Sequence, residues 1–139
     1  KRDRDIKDLI KMAVANRTFT DDSVKVSEPE ALRLTLVKFV PEPEELRILL
    51  ESYETSLTQY YKDGDIEFCR ARKVDFADRI NFYKHLASRI YSIRNSIVHS
   101  KEGEKAKYNP FRDDAALAKE LPLMRFIAEM ILNSSATIA

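Results

Sequence analysis

The stretch "FADRINFYKHLASRIYSIRNSIVH", residues 76–99, decides how this chain is read. Phe76, Ile80, Tyr83, Leu86, Ile90, Ile93 and Ile97 recur at steps of three and four, the repeat of a helix with one apolar face. With the residues ahead of it, the pattern predicts one long helix, or two joined end to end, from Ile66 to about Val98.

The same reading extends in both directions. Upstream, Pro41 and Pro43 punctuate, and "PEPEEL" (41–46) is an acidic helix start. A helix is expected from about Glu44 to Lys62, with Leu46, Leu49, Leu50, Tyr53, Leu57 and Tyr60 as its stripe, stopped by Asp63-Gly64-Asp65. Residues 30–40 (EALRLTLVKFV) read two ways. Leu32, Leu34, Leu36 and Phe39 hint at a strand, while "SEPEAL" opens like a helix. A helix is favoured, because a lone strand would have no partner. Residues 3–16 form a short amphipathic pattern on Ile6, Leu9, Ile10, Ala13 and Val14, and 17–29 a polar connection. Downstream, a polar loop over 100–112 leads to a last helix capped by Asp113-Asp114, with Leu117, Leu121, Met124, Ile127, Ala128 and Ile131 facing the core. Pro122 should kink that helix or mark its true start. The expectation is an all-α, up-and-down bundle of four to five helices in a single domain over 1–139. Residues 1–40 supply N-terminal helices and 41–139 the core bundle.

Composition narrows the classes. At 139 residues the chain can bury a core without staples. Two glycines exclude glycine-rich phosphate loops and argue against a barrel or sandwich. The single cysteine, Cys69, cannot form an internal disulfide, which fits a reducing cytoplasm. No apolar run reaches the length of a membrane span. The chain opens Lys1-Arg2-Asp3 without methionine, so a fragment of a longer protein is expected. The net charge of +1 is uneven: residues 62–112 hold twelve Lys/Arg against seven Asp/Glu, a local +5. Such an excess suits a polyanion, and equally a solvated helix face.

Within that basic middle, Arg94-Asn95 precede His99 at the end of the long helix. At about 100° per residue, Asn95 and His99 share one line, while Arg94 lies beside the core stripe. Histidine moves protons near neutral pH, the guanidinium fork matches phosphate oxygens, and an amide orients its neighbours. Such a trio can promote attack of an RNA 2′-hydroxyl on its own phosphate. The plain alternative is a basic helix C-cap over unpaired carbonyls. Lys101, Lys105, Lys107, Tyr108 and Arg112 follow in the loop, where cations can touch a phosphate backbone and Tyr108 can either stack on a base or pack on the bundle. The run "CRARK" (69–73) is another basic candidate, or a solvated face. His85 stands fourteen residues from His99, and no acid or cysteine cluster has ligand spacing, so no metal and no cofactor are expected. Asp75 and Asp78 read as helix caps.

"IYSIRNSIVHSKEG" (90–103) resembles the signature of the HEPN domains, the higher eukaryote and prokaryote nucleotide-binding superfamily. These helical bundles carry Arg, often followed by Asn, four to six residues, then His, on a late helix. The matching positions here are Arg94, Asn95 and His99, and the following loop and closing helix also fit. Many HEPN domains are metal-independent endoribonucleases that leave a 2′,3′-cyclic phosphate. They dimerise so that two motifs share one cleft, and many serve prokaryotic defence beside a sensor domain. The resemblance therefore implies catalytic Arg94 and His99, an orienting Asn95, RNA as substrate and a homodimer formed near residues 90–112. Lys101 departs from the pattern of the small HEPN toxins, which often have Tyr two residues after the His. The rival expectation is a non-catalytic helical module for dimerisation or for nucleotide or RNA binding.

Overall fold

The computed structural model describes residues 27–99 and 108–138; for His99, Pro110, Phe111 and residues 135–138 it describes only the backbone. The expected helix at 3–16 and the lysines Lys101, Lys105 and Lys107 lie outside these residues. Among the described residues five helices follow one another: α1 (Glu28–Phe39), α2 (Pro43–Tyr53), α3 (Leu57–Asp63), α4 (Phe82–His99) and α5 (Pro110–Ile138). No strand occurs among the described residues, and the fold is an all-α bundle.

Residues 28–39 take the helical reading. Ser27 Oγ accepts the Glu30 amide at 3.3 Å, Pro29 sits in the first turn, Glu28 and Glu30 face the positive helix start, and Lys38 faces its end. Leu32, Leu36 and Phe39 then fall on one buried face. α1 packs along α4 in antiparallel sense. Tyr83 Oη, near the start of α4, donates to the Val40 carbonyl at 2.7 Å, while Glu28 lies beside Arg94 near its end. Burial of Leu86, Ile90, Ile93 and Ile97 on this seam contributes roughly 1.5–3 kcal/mol per side chain.

The expected helix over 44–62 is two helices. Glu54 is extended (φ −153°, ψ 119°), and α3 restarts after Ser56. Thr55 and Ser56 are poor helix formers that compete for local hydrogen bonds, and Ser56 Oγ bonds the Glu54 carboxylate at 3.1 Å. Leu46, Leu50, Leu57 and Tyr61 reach the core, whereas Leu49 and Tyr53 are exposed. Gly64 ends α3 with its amide on the Tyr60 carbonyl at 2.7 Å, so close that an added Cβ would fall 2.7 Å from that oxygen.

The helix expected from Ile66 begins only at Phe82, and residues 64–81 form an irregular segment. Local side chains end the helical pattern. Asp75 Oδ1 accepts the Ala77 amide at 2.9 Å, and Asp78 Oδ1 accepts those of Ile80 and Asn81 at 3.2 and 3.1 Å. Ile80, expected in the core, is 92% exposed. The segment still buries Ile66, Phe68 and Val74, and its backbone is tied inward: the Val74 amide meets the Tyr61 carbonyl at 2.8 Å.

Its main anchor is Arg89, which is fully buried on α4. The guanidinium forks onto Glu120 of α5 with Nε–Oε1 and Nη2–Oε2 both at 2.8 Å, and Nη1 donates to the Arg72 carbonyl at 3.0 Å. The Tyr61 ring centroid lies 5.2 Å from it. One side chain thereby joins α4, α5 and the irregular segment.

α5 starts at Pro110, ahead of the expected Asp113-Asp114 cap. Asn109 caps it reciprocally: its Oδ1 accepts the Arg112 amide at 3.4 Å, and Asp113 Oδ2 accepts the Asn109 amide at 2.7 Å. Pro122 lies inside a continuous helix and does not mark its start. One turn earlier, the buried Tyr61 hydroxyl donates to the Lys119 carbonyl at 2.6 Å, inserting a side chain into the backbone ladder beside the proline.

Candidate functional site

Arg94, Asn95 and His99 occupy the final turns of α4, with His99 its last residue. Consecutive residues point about 100° apart, and Arg94 and Asn95 face different neighbours. Arg94 turns toward the start of α1, where its Nη1 lies 3.8 Å from Glu28 Oε2, and it keeps 28% of its side-chain surface in solvent. The same Nη1 donates to Asn95 Oδ1 at 2.9 Å. In that bond the amide oxygen of Asn95 is the acceptor, and its NH2 group makes no bond to Arg94.

Asn95 lines a cleft of about 500 Å³ between α4 and residues 66–70. Ser92, Asn95 and Ser96 form the helix wall, at the i, i+3, i+4 spacing of one face. Ile66 and Phe68 are the apolar part of the opposite wall, and Glu67, Cys69 and Arg70 its polar part. Burial pushes the Cys69 thiol above its ordinary range, although a hydrogen bond with Ser96 opposes this, so the thiol is protonated and a poor nucleophile at neutral pH. Burial and the charge of Glu120 push the nearby Tyr60 hydroxyl up to about 12, which removes it as a proton donor or acceptor near pH 7.

The loop candidates separate. Tyr108 is 8% exposed, with its ring 5.2 Å edge-on to Phe68 and its hydroxyl on Asp114 Oδ1 at 2.6 Å. Of its two expected uses, packing on the bundle is the arrangement adopted. Arg112 is exposed and bonds the buried Asp113, with Nε and Nη2 both at 3.0 Å from the carboxylate. Within "CRARK", Arg70, Arg72 and Lys73 are exposed on the irregular segment instead of a helix face. Among the described residues, no three His, Cys, Asp or Glu side chains gather as a metal-binding group, and no helix is long and apolar enough to cross a membrane.

Sequence reasoning missed two parts of this site. Glu28 comes to Arg94 only through the packing of α1 on α4. The cleft arises because 66–70 is not helical, although the polar stripe Ser92-Asn95-Ser96, opposite Ile90-Ile93-Ile97, was a legible sign of a second contact face. No protein-family model, curated protein or solved structure matches the chain.

Proposed function

We propose that the chain is a HEPN-type domain that cleaves single-stranded RNA by attack of a 2′-hydroxyl on the adjacent phosphate, without need of a metal ion. One observation carries this over the helix-cap alternative. Among the described residues Arg94 bonds Asn95 and lies near Glu28, and it meets no carbonyl at the end of α4, so capping does not account for it. Arg89, five residues earlier, is wholly committed to the core, whereas Arg94 reaches solvent.

In this reading the Arg94 fork neutralises the scissile phosphate and Asn95 holds the fork in place. His99 takes the 2′-hydroxyl proton, gives a proton to the departing 5′-oxygen, or orients the 2′-hydroxyl. A 2′-O–P bond forms as the P–O5′ bond breaks, leaving a 2′,3′-cyclic phosphate and a 5′-hydroxyl. A second copy of the chain would complete the cleft, and a sensor domain outside this sequence would govern it, as in prokaryotic defence systems within the cytoplasm. Lys101, Lys105, Lys107 and Arg112 would bind the RNA backbone.

A second reading rests on Glu28. Its Oε2 is shielded from water and accepts no hydrogen bond from the described residues, which leaves Arg94 as its electrostatic partner. An Arg94 held to neutralise Glu28 would belong to a non-catalytic dimerisation or nucleotide-binding module. RNA cleavage in EDTA separates the two. Wild type should cut single-stranded RNA to cyclic-phosphate ends, with His99→Ala and Arg94→Ala reduced at least 100-fold. Intact RNA at high protein concentration, or equal cutting by both variants, would leave the binding module.

A further inference from the structure

We infer that the cleft between α4 and residues 66–70 is a nucleobase pocket, which receives the base next to the phosphate held by Arg94, with guanine as its preferred occupant. The ligand class rests on the RNA reading above; the place and the preference rest on the cleft itself. Its volume, about 500 Å³, falls within the range of small-molecule sites and admits a nucleotide. Its charges oppose each other: Glu67 and Arg70, two residues on either side of the short span through Phe68 and Cys69, both line it. With one acceptor and one cation on its wall, the cleft suits a guest that offers a donor to Glu67 and an acceptor to Arg70.

The donors and acceptors point the same way. Glu67 is an acceptor only, Arg70 a donor only, and Asn95, whose oxygen accepts from Arg94, offers its NH2 as a donor. Guanine is the base that sets two adjacent N–H donors against one carboxylate while presenting O6 and N7 to donors. Arg70 is exposed at the edge of the cleft, where its fork can reach the O6 and N7 of a bound guanine. Asn95 both lines the cleft and accepts from Arg94, so a base in the cleft would lie beside a phosphate held by that guanidinium.

The single cysteine lines this cleft, so its alkylation, slow because the thiol is protonated and followed with excess reagent, reports occupancy. Guanosine 5′-monophosphate should slow Cys69 alkylation in the wild-type chain at least five-fold at saturation, at concentrations where the other three nucleotides do so at most two-fold. Glu67→Gln should abolish that preference. Ser92→Leu, which fills the cleft, should remove protection by every nucleotide; Arg70→Ala, on an exposed side chain, checks the same point where Ser92→Leu fails to fold. Equal protection by all four nucleotides, no protection, or protection unchanged in Glu67→Gln and Arg70→Ala would overturn the pocket. RNA cleavage that is independent of sequence and unaffected by these variants would overturn it while leaving the nuclease standing. Guanosine protection with no RNA cleavage would keep the pocket and discard the nuclease.

Discussion

Arg89 and Arg94 lie five residues apart on α4 and have opposite environments. Arg89 is buried with its fork on Glu120, and removing either partner would strand a charge in the core. Arg89→Met and Glu120→Gln should each destabilise the chain by about 3–5 kcal/mol in urea unfolding. The double replacement Arg89→Met with Glu120→Leu should recover part of that loss, since the Arg72 carbonyl still loses its donor. Arg94→Ala should cost less than about 1 kcal/mol, because the side chain is partly exposed and its ion pair is loose. A loss as large as that of Arg89→Met would assign Arg94 a core role and weaken the catalytic reading. Gly64 shows a different residue-scale constraint. Its φ of −77° suits any residue, yet a Cβ there meets the Tyr60 carbonyl, so Gly64→Ala should destabilise by about 1–3 kcal/mol through overpacking.

Helix ends and breaks decide the behaviour of the elements. At the start of α5, Asp113 is held below the ordinary carboxylate range by its hydrogen bonds to Arg112, against the opposing effect of burial, with the Asn109 amide adding to the lowering. A depressed folded-state pKa contributes stability above the unfolded value of about 4 and loses it as pH falls through the folded value. Thermal unfolding should therefore show Asp113→Asn about 1 kcal/mol less stable than wild type at pH 7, with the gap closing below about pH 4. A gap that is constant with pH would remove the charge from this account. Further along α5, the Tyr61 hydroxyl serves the ladder beside Pro122. Tyr61→Phe should cost about 1–3 kcal/mol, and a double-mutant cycle with Pro122→Ala should show coupling above about 0.5 kcal/mol. Additive losses would mean that the hydroxyl and the proline act separately.

At the scale of the whole molecule, the irregular segment 64–81 is held to the helices by Val74, by its buried apolar residues and by Arg89. Arg70, Arg72 and Lys73 are exposed there as trypsin sites, so Arg89→Met should speed cleavage at 70–73 more than at any other basic residue under native conditions. Uniform acceleration would mean that Arg89 supports the fold as a whole. The composite-cleft reading predicts a particle of twice the 16.1 kDa chain mass by light scattering; a monomer that still cuts RNA would confine the site to one chain. The repeat Leu86-Ile90-Ile93-Ile97, the serine-proline start of α1 and the apolar face of α5 were all legible, because each depends on neighbours within one or two turns. So was the grouping of Arg94, Asn95 and His99 at one helix end. The break at 54–56, the loss of helix over 64–81, the core position of Arg89 and the cleft beside Asn95 were not. The two breaks are made by short polar side chains bonding within two or three residues, which an apolar repeat does not show. Arg89 and Tyr61 depend on partners 17 to 58 residues away, Glu120 and the Arg72 carbonyl for Arg89 and Lys119 for Tyr61. Local periodicity thus determined that the chain is a helical bundle with a polar trio at the end of α4. Only tertiary packing decided which arginine is buried, which is offered to solvent, and what cavity opens beside it, because burial and charge pairing are settled between elements.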